Sequence, residues 1–202
     1  MIERPILFSG PMVRAILAGH KTQTRRVVRG DFDTIQPSVM TTDGKMLESH
    51  WTATGPAGRV GLVSPYGVDG HKLWVRETWD FRPWATEDAP TAVRVAYAAD
   101  GEQRDVVAPA DWNPTLFGTA RWRPSIHMPR WASRLTLEVT DVRVERLQCM
   151  SEEDAIAEGV VAPARWASVP GFAVLWDSLN AARGFGWDAN PWVWVIEFRR
   201  VS

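Results

Sequence analysis

The residues whose types could do chemistry together lie in one short run. From position 21 to 26 the chain reads Lys21-Thr22-Gln23-Thr24-Arg25-Arg26, which brings one amine, two hydroxyls and two guanidinium groups close in sequence. An amine leaning on a hydroxyl is how a nucleophile is activated: the amine takes the proton and the oxygen attacks. Lys21 and Thr24 are three residues apart. Side chains alternate faces along a strand, so a plain strand would separate them. A strand that begins near Thr22 puts Thr22, Thr24 and Arg26 on one face and Gln23 and Arg25 on the other. Lys21 then stays in the turn, where it can bend over Thr24. The same residues also fit a basic surface turn after a helix, and spacing alone leaves both readings open.

Two carboxylates could join them. Lys72 to Trp79 alternates, with Leu73, Val75 and Glu77 on one face and Trp74, Arg76 and Thr78 on the other. Glu77 ends an apolar row, so it points into a cavity mouth or marks where the strand reaches solvent. Glu158 falls in the last turn of a short helix, where a negative charge opposes the helix dipole. It has another job or sits at a solvated end. A further stretch, Arg121 to Arg134, holds four Arg and two Trp and no acid. Basic groups interleaved with flat rings suit stacking on bases and pairing with phosphate. The alternative is a packed loop with solvated arginines.

The elements that must position these groups read as follows. Ile6-Leu7-Phe8 is a short strand. Ser9 as N-cap, Pro11 in the first turn and Met12, Val13, Ile16 and Leu17 at helical spacing predict a helix that Gly19 stops. Thr24 to Val28 continues as a strand. From Gly30 to Gly70 no period persists, which predicts a surface insertion with a small hairpin at Asp43-Gly44 and a short strand at Arg59–Val63. Val93 to Tyr97 is a strand followed by a turn at Asp100-Gly101. Asp105 to Gly118 reads as irregular.

Leu135 to Leu147 alternates over a long run, as long bent strands do when they close small barrels. Ser151 and Asp154 predict a capped helix start, with Gly159 ending the regular part. Gly171 to Ala182 is a helix with Phe172, Leu175, Trp176 and Leu179 on its buried side. Pro191 to Phe198 is the closing strand. Strands and helices mix without a βαβ rhythm, so the class is α+β around a barrel.

The totals exclude several functions. The chain has 202 residues, and 45% hydrophobic content is enough for a sizeable core. Net charge is −1, so nucleic-acid binding would need a local basic patch. Such a patch exists near the start, where Arg4, Arg14, Lys21, Arg25, Arg26 and Arg29 face the single acid Glu3. One cysteine, Cys149, rules out an internal disulfide framework and a Cys-cluster metal site. His20, His50, His71 and His127 show no metal-ligand spacing, and GxGxxG, P-loop and HExxH motifs are absent. Neither a metal nor a cofactor is expected. No run approaches the roughly 18 apolar residues of a membrane span, and the first residues are not a signal peptide. A cytoplasmic protein with no membrane partner is expected. Twelve Trp against two Tyr suggest that some rings line a cavity for a flat ligand while most fill the core.

The run Ile16 to Arg26 resembles the signature of the ASCH domain, a small β-barrel of the PUA-like superfamily. Val195-Ile196-Glu197-Phe198 is similar to the last strand of compact ASCH proteins, and Met150 to Glu158 to their late helix. Leu73 to Trp79 and Ser125 to Trp131 are similar to motifs of phage- and prophage-borne ASCH-like proteins. The resemblance implies an α+β fold: a single domain over 1–202, a small PUA-like (ASCH) barrel flanked by helices, with large loop insertions at about 30–70 and 80–130.

Compact bacterial members are amidohydrolases acting on N4-acetylcytidine through a Lys, a Thr and a Glu. These fall on Lys21, Thr24 and Glu158, with Glu77 the other carboxylate that could serve. Arg26, Glu77, Trp79, His127, Arg130 and Trp131 are the implied substrate-binding residues. The expected partner is a nucleoside or modified nucleobase. Other relatives are proposed RNA binders, so a non-catalytic reader of RNA or DNA stands as the alternative, in the host cytoplasm if the gene is phage-borne. A protein-binding platform built on the insertions is a third reading. The insertions depart from the compact pattern and leave the substrate and the oligomeric state open.

Overall fold

The computed structural model describes residues 2–38, 50–83, 91–113, 122–160 and 168–202. The chain forms two compact units, one of Met1–Ile2, Gly19–Lys72 and Glu138–Arg199, the other of Glu3–Ala18, Leu73–Leu137 and Arg200–Ser202.

The first unit carries the Lys21 run. Strand β2 (Gln23–Val27) pairs antiparallel with β11 (Trp192–Arg200), which sets Ile196 opposite Thr24, Val195 opposite Arg25 and Trp194 opposite Arg26. Beyond β11 lies β10 (Thr136–Arg146), the long alternating run, most of it in this unit. Helix α2 (Glu152–Ala157) starts with the expected reciprocal cap. Ser151 Oγ accepts from the Asp154 N–H, and the Asp154 carboxylate accepts from the Ser151 N–H. Gly159, at φ 84°, turns the chain out of it.

Helix α3 (Ser168–Asn180) packs with α2 on β11, joining Leu147, Met150, Ala155, Phe172, Trp176, Val193 and Val195 in one apolar cluster. Its buried stripe runs through Ser168, Phe172, Trp176 and Asn180. Leu175 and Leu179, expected inside, are exposed. Trp176 fills the space instead, and its indole N–H donates to the Phe185 carbonyl at 2.7 Å.

The stretch expected to wander over the surface contains a regular sheet. Strands β3 (Thr34–Pro37), β4 (His50–Gly55) and β5 (Gly58–Val63) pair antiparallel in that order. Its apolar content is small, with Ile35, Trp51 and Ala53 buried while β5 is largely exposed. So little one-sided burial leaves a weak period in the sequence. Trp51 meets Trp194 edge to face at 4.9 Å between ring centroids. The hairpin expected at Asp43-Gly44 lies outside the described residues.

The second unit holds β1 (Glu3–Leu7), α1 (Gly10–Leu17), β6 (Lys72–Arg76), β7 (Trp79–Pro83), β8 (Ala92–Tyr97) and β9 (Gln103–Val107). Helix α1 has Pro11 in its first turn and Gly19, at φ 75°, past its end. Ser9 occupies the N-cap by backbone conformation, and its side chain makes no capping bond. β7, β8 and β9 form an antiparallel sheet. Part of the stretch read as irregular from Asp105 onward therefore belongs to β9. Trp79, Phe81, Val93, Val95, Tyr97, Ala108, Met128 and Ala132 make this unit's core.

The class is mixed α+β, rich in sheet, as expected. The closed barrel is not formed by the described strands. In the first unit the long β10 lies beside β11, which pairs with β2, and β3-β4-β5 is a sheet of its own. Among the described residues no helix is long and apolar enough to cross a membrane.

Candidate active site

Lys21 and Glu158 meet. The chain at Lys21 forms an isolated antiparallel bridge with Glu158, and the Thr22 N–H donates to the Ala157 carbonyl at 2.8 Å. Thus the end of α2 is stitched to the start of β2. Lys21 Nζ donates to Glu158 Oε2 at 2.6 Å and to the Glu158 carbonyl at 2.8 Å. The carbonyl contact resolves the oddity of an acid at a helix C-terminus: the cation that suits the dipole is Lys21, two residues before β2.

Both side chains are buried, Lys21 at 2% and Glu158 at 6% exposure. Burial pulls the Lys21 amine below its ordinary range. Glu158 opposes that shift, while Arg26 and Arg25 add to it. The second carboxylate oxygen, Oε1, is buried without a hydrogen-bond partner among the described residues, and Arg25 Nη1 stands 3.6 Å away.

Thr24 is buried at 1% in β2, on the strand face shared with Arg26. Gln23 and Arg25 take the other face, as the alternation predicts. There Gln23 Nε2 donates to Asp154 Oδ1 at 2.9 Å and Arg25 Nη2 to Asp154 Oδ2 at 3.0 Å. Arg26 is half-buried. Burial lowers its guanidinium from the usual arginine range, opposed by Tyr66 and Glu158. One carboxylate is therefore surrounded by Lys21, Arg25 and Arg26.

The other expected substrate-binding residues belong to the second unit. Glu77 is neither at solvent nor unpartnered: at 1% exposure it accepts from Arg134 Nε at 2.8 Å and Nη2 at 3.0 Å. Burial pushes its carboxyl up, against the pull of Arg134. Arg134 also binds Asp100 and Glu102 and lies over the Tyr97 ring at 4.2 Å. Trp79 is fully buried against Phe81, and its ring and that of Trp112 both meet Trp131 edge to face. Trp131 is half-buried in that core.

His127 is exposed in a 3-10 turn, Ser125–His127. Arg130 is exposed and paired with Glu3 at 2.8 Å. Arg123, from the same basic stretch, is buried and donates to Asp80 at 2.7 Å. Carboxylates from other elements engage the described arginines of the stretch, Arg130 at the surface and Arg123 and Arg134 buried. Arg121 lies outside the described residues.

Sequence reasoning missed Asp154 and Arg134, and it read Arg25 as a nucleic-acid contact. Asp154 showed as a cap residue, but its second role as the anchor of Gln23 and Arg25 had no local signal. Among the described residues no group of three or more His, Cys, Asp or Glu is arranged to hold a metal ion.

No family model matches this chain. No curated protein matches it either. Among solved structures it is similar to the crystal structure of protein EF3133 from Enterococcus faecalis V583, of family DUF984. Identity is 10%, coverage is 100% of this chain and 82% of that one, and the TM-score is 0.41. A likeness that weak carries no argument, and the site stands on its own geometry.

Proposed function

We propose that the protein is an amidohydrolase that removes the acyl group from an N4-acylated cytosine nucleoside, with Lys21, Thr24 and Glu158 as its working residues. The observation that carries this reading is the buried Lys21–Glu158 pair, 2.6 Å apart, with Glu158 Oε1 unbonded and Thr24 buried in the adjoining strand. The resemblance of the Ile16 to Arg26 run to the ASCH signature supports it and names the substrate class.

The chemistry follows from one proton that Lys21 carries. Burial pulls the Lys21 amine below its ordinary range, so it can serve as the base. Lys21 takes the Thr24 proton as Thr24 Oγ attacks the acyl carbon. The C–N4 bond breaks as Lys21 passes that proton to N4, so the amine leaves and Lys21 is neutral again. Lys21 then draws a proton from a water that Glu158 helps hold, and the water oxygen attacks the acyl-threonine. Lys21 returns its proton to Thr24 Oγ as the acid departs, and the starting state is restored. Arg26 or backbone N–H groups near the turn would stabilise the oxyanion.

The test is turnover of N4-acetylcytidine to cytidine and acetate. The wild type is expected to convert it and Thr24→Ala to be inactive while melting as a folded protein. The alternative, a non-catalytic reader of RNA or DNA, has less support, because Arg25, Arg123 and Arg130 are all engaged by carboxylates. A gel shift that weakens steeply with salt would favour it. We place the activity in the cytoplasm, that of the host if the gene is phage-borne.

A further inference from the structure

Asp154 and Glu158 stand four residues apart, so α2 carries them on one face, one turn from each other. Two like charges in that relation repel. Arg25 lies against both: Nη2 donates to Asp154 Oδ2 at 3.0 Å, and Nη1 is 3.6 Å from Glu158 Oε1. Its side chain is fully buried. Both Nη groups make a further contact, while Nε is buried without a hydrogen-bond partner among the described residues. Nη1 donates to Gln23 Oε1 at 2.5 Å, and Nη2 lies 3.5 Å from Glu145 Oε2 on β10. Arg143 braces the outer side of the cluster, donating to Asp154 at 3.2 Å, to Glu145 at 2.5 Å and to Glu197 of β11. The guanidinium thus meets side chains of β2, β10 and α2.

This arrangement divides the Glu158 carboxylate. Lys21 takes Oε2. Oε1 has a cation at 3.6 Å, beyond a hydrogen bond yet close enough for strong attraction, since Coulomb energy falls slowly with distance. Resting on the reading above, we propose that Arg25 is a positioning residue: it holds the Oε1 side of Glu158 by charge and leaves that oxygen able to accept the amide N–H of the substrate. It implies a substrate with a secondary amide, the form an N4-acylated cytosine has. A lysine cannot copy the role, because only a planar fork reaches Asp154 and Glu158 together.

The test uses Arg25→Gln and Arg25→Lys in the full chain, with circular dichroism and melting to establish folding. Two quantities are read: steady-state kinetics on N4-acetylcytidine, and the titration of the Lys21 amine by NMR of 13C-lysine-labelled protein. The charged groups facing that amine are Glu158 from α2 and Arg25 and Arg26 from β2.

Both variants are expected to lose about tenfold or more in kcat with KM nearly unchanged, as misplacement of a reacting group does. In Arg25→Gln the Lys21 amine is expected to titrate at higher pH, because a neighbouring positive charge is gone. In Arg25→Lys it stays near the wild type. A residue that merely packs would not produce that split. If Arg25→Gln does not fold, Arg25→Lys decides: reduced kcat with the wild-type titration supports the role, and full kcat overturns it. If the wild type leaves N4-acetylcytidine untouched, the hydrolase reading fails. The titration still judges Arg25, and an unmoved Lys21 in Arg25→Gln would overturn its placement.

Discussion

Glu158 is the residue on which the site turns, because its carboxylate pairs with Lys21 at 2.6 Å and lies 3.6 Å from Arg25. Removing one member of a buried ion pair costs about 3–5 kcal/mol, since the other is left uncompensated. Glu158→Gln is therefore expected to lower stability by that order and to abolish turnover. Lys21→Met with Glu158→Met should recover part of the stability and none of the activity, because the apolar pair needs no counter-charge while Arg25, still held by Asp154, loses Glu158. Urea denaturation beside a turnover assay checks both halves.

At this scale the sequence was informative where the signal was local. Lys21 and Thr24 stood out by type and spacing, and Glu158 by its conflict with the helix dipole. The ion pairs of Arg25 and Arg134 were not legible because their carboxylates lie elsewhere in the chain, Asp154 for one and Glu77, Asp100 and Glu102 for the other. A basic residue whose partner comes from another element looks like a residue seeking an external anion.

Among the elements, α2 links stability to the site. Its N-cap is Ser151, and its C-cap is Glu158 itself. Ser151→Ala should cost about 1 kcal/mol in urea denaturation. It should also lower kcat, because Asp154, held by the same cap, anchors Arg25. Ser151→Asp, another good cap, should retain both.

The elements legible beforehand were those with a long period or a local signature: α1 by its stripe and its Pro and Gly, β10 by alternation, α2 by its cap and β11 by its apolar run. The small sheets β3-β4-β5 and β7-β8-β9 were only partly seen. The strands read at Arg59–Val63 and Val93–Tyr97 are β5 and β8, whereas β3 and β9 bury little, so no alternation marks them. The expected barrel came from the length of β10 and from the resemblance to the ASCH domain. Strand length says that a sheet is large, and closure depends on pairings that the sequence does not print.

For the whole molecule, folding is tied to alkaline pH through Tyr97. Burial pushes its phenol up to about 12, and its hydroxyl donates to the Ala132 carbonyl at 2.9 Å. The neutral form is favoured in the folded state. Its contribution, on the order of 2 kcal/mol, is complete below about pH 10 and lost as pH rises toward 12. Tyr97→Phe should flatten that part of the stability–pH curve, read by urea midpoints between pH 9 and 12.

The balance of charge also makes sense at this scale. A net charge of −1 comes with arginines held by carboxylates, Arg94 with Asp105 and Arg199 with Glu138 among them. Arginines held in this way are the reason a small neutral ligand is proposed here rather than a phosphate backbone.

The hydrolase account is tested most directly by following N4-acetylcytidine turnover while measuring the mass of the peptide that contains Thr24. It predicts release of cytidine together with a transient gain of one acetyl group on Thr24, both absent in Thr24→Ala. Turnover that persists in Thr24→Ala, or a wild type that neither releases cytidine nor takes up the acetyl group, would contradict it.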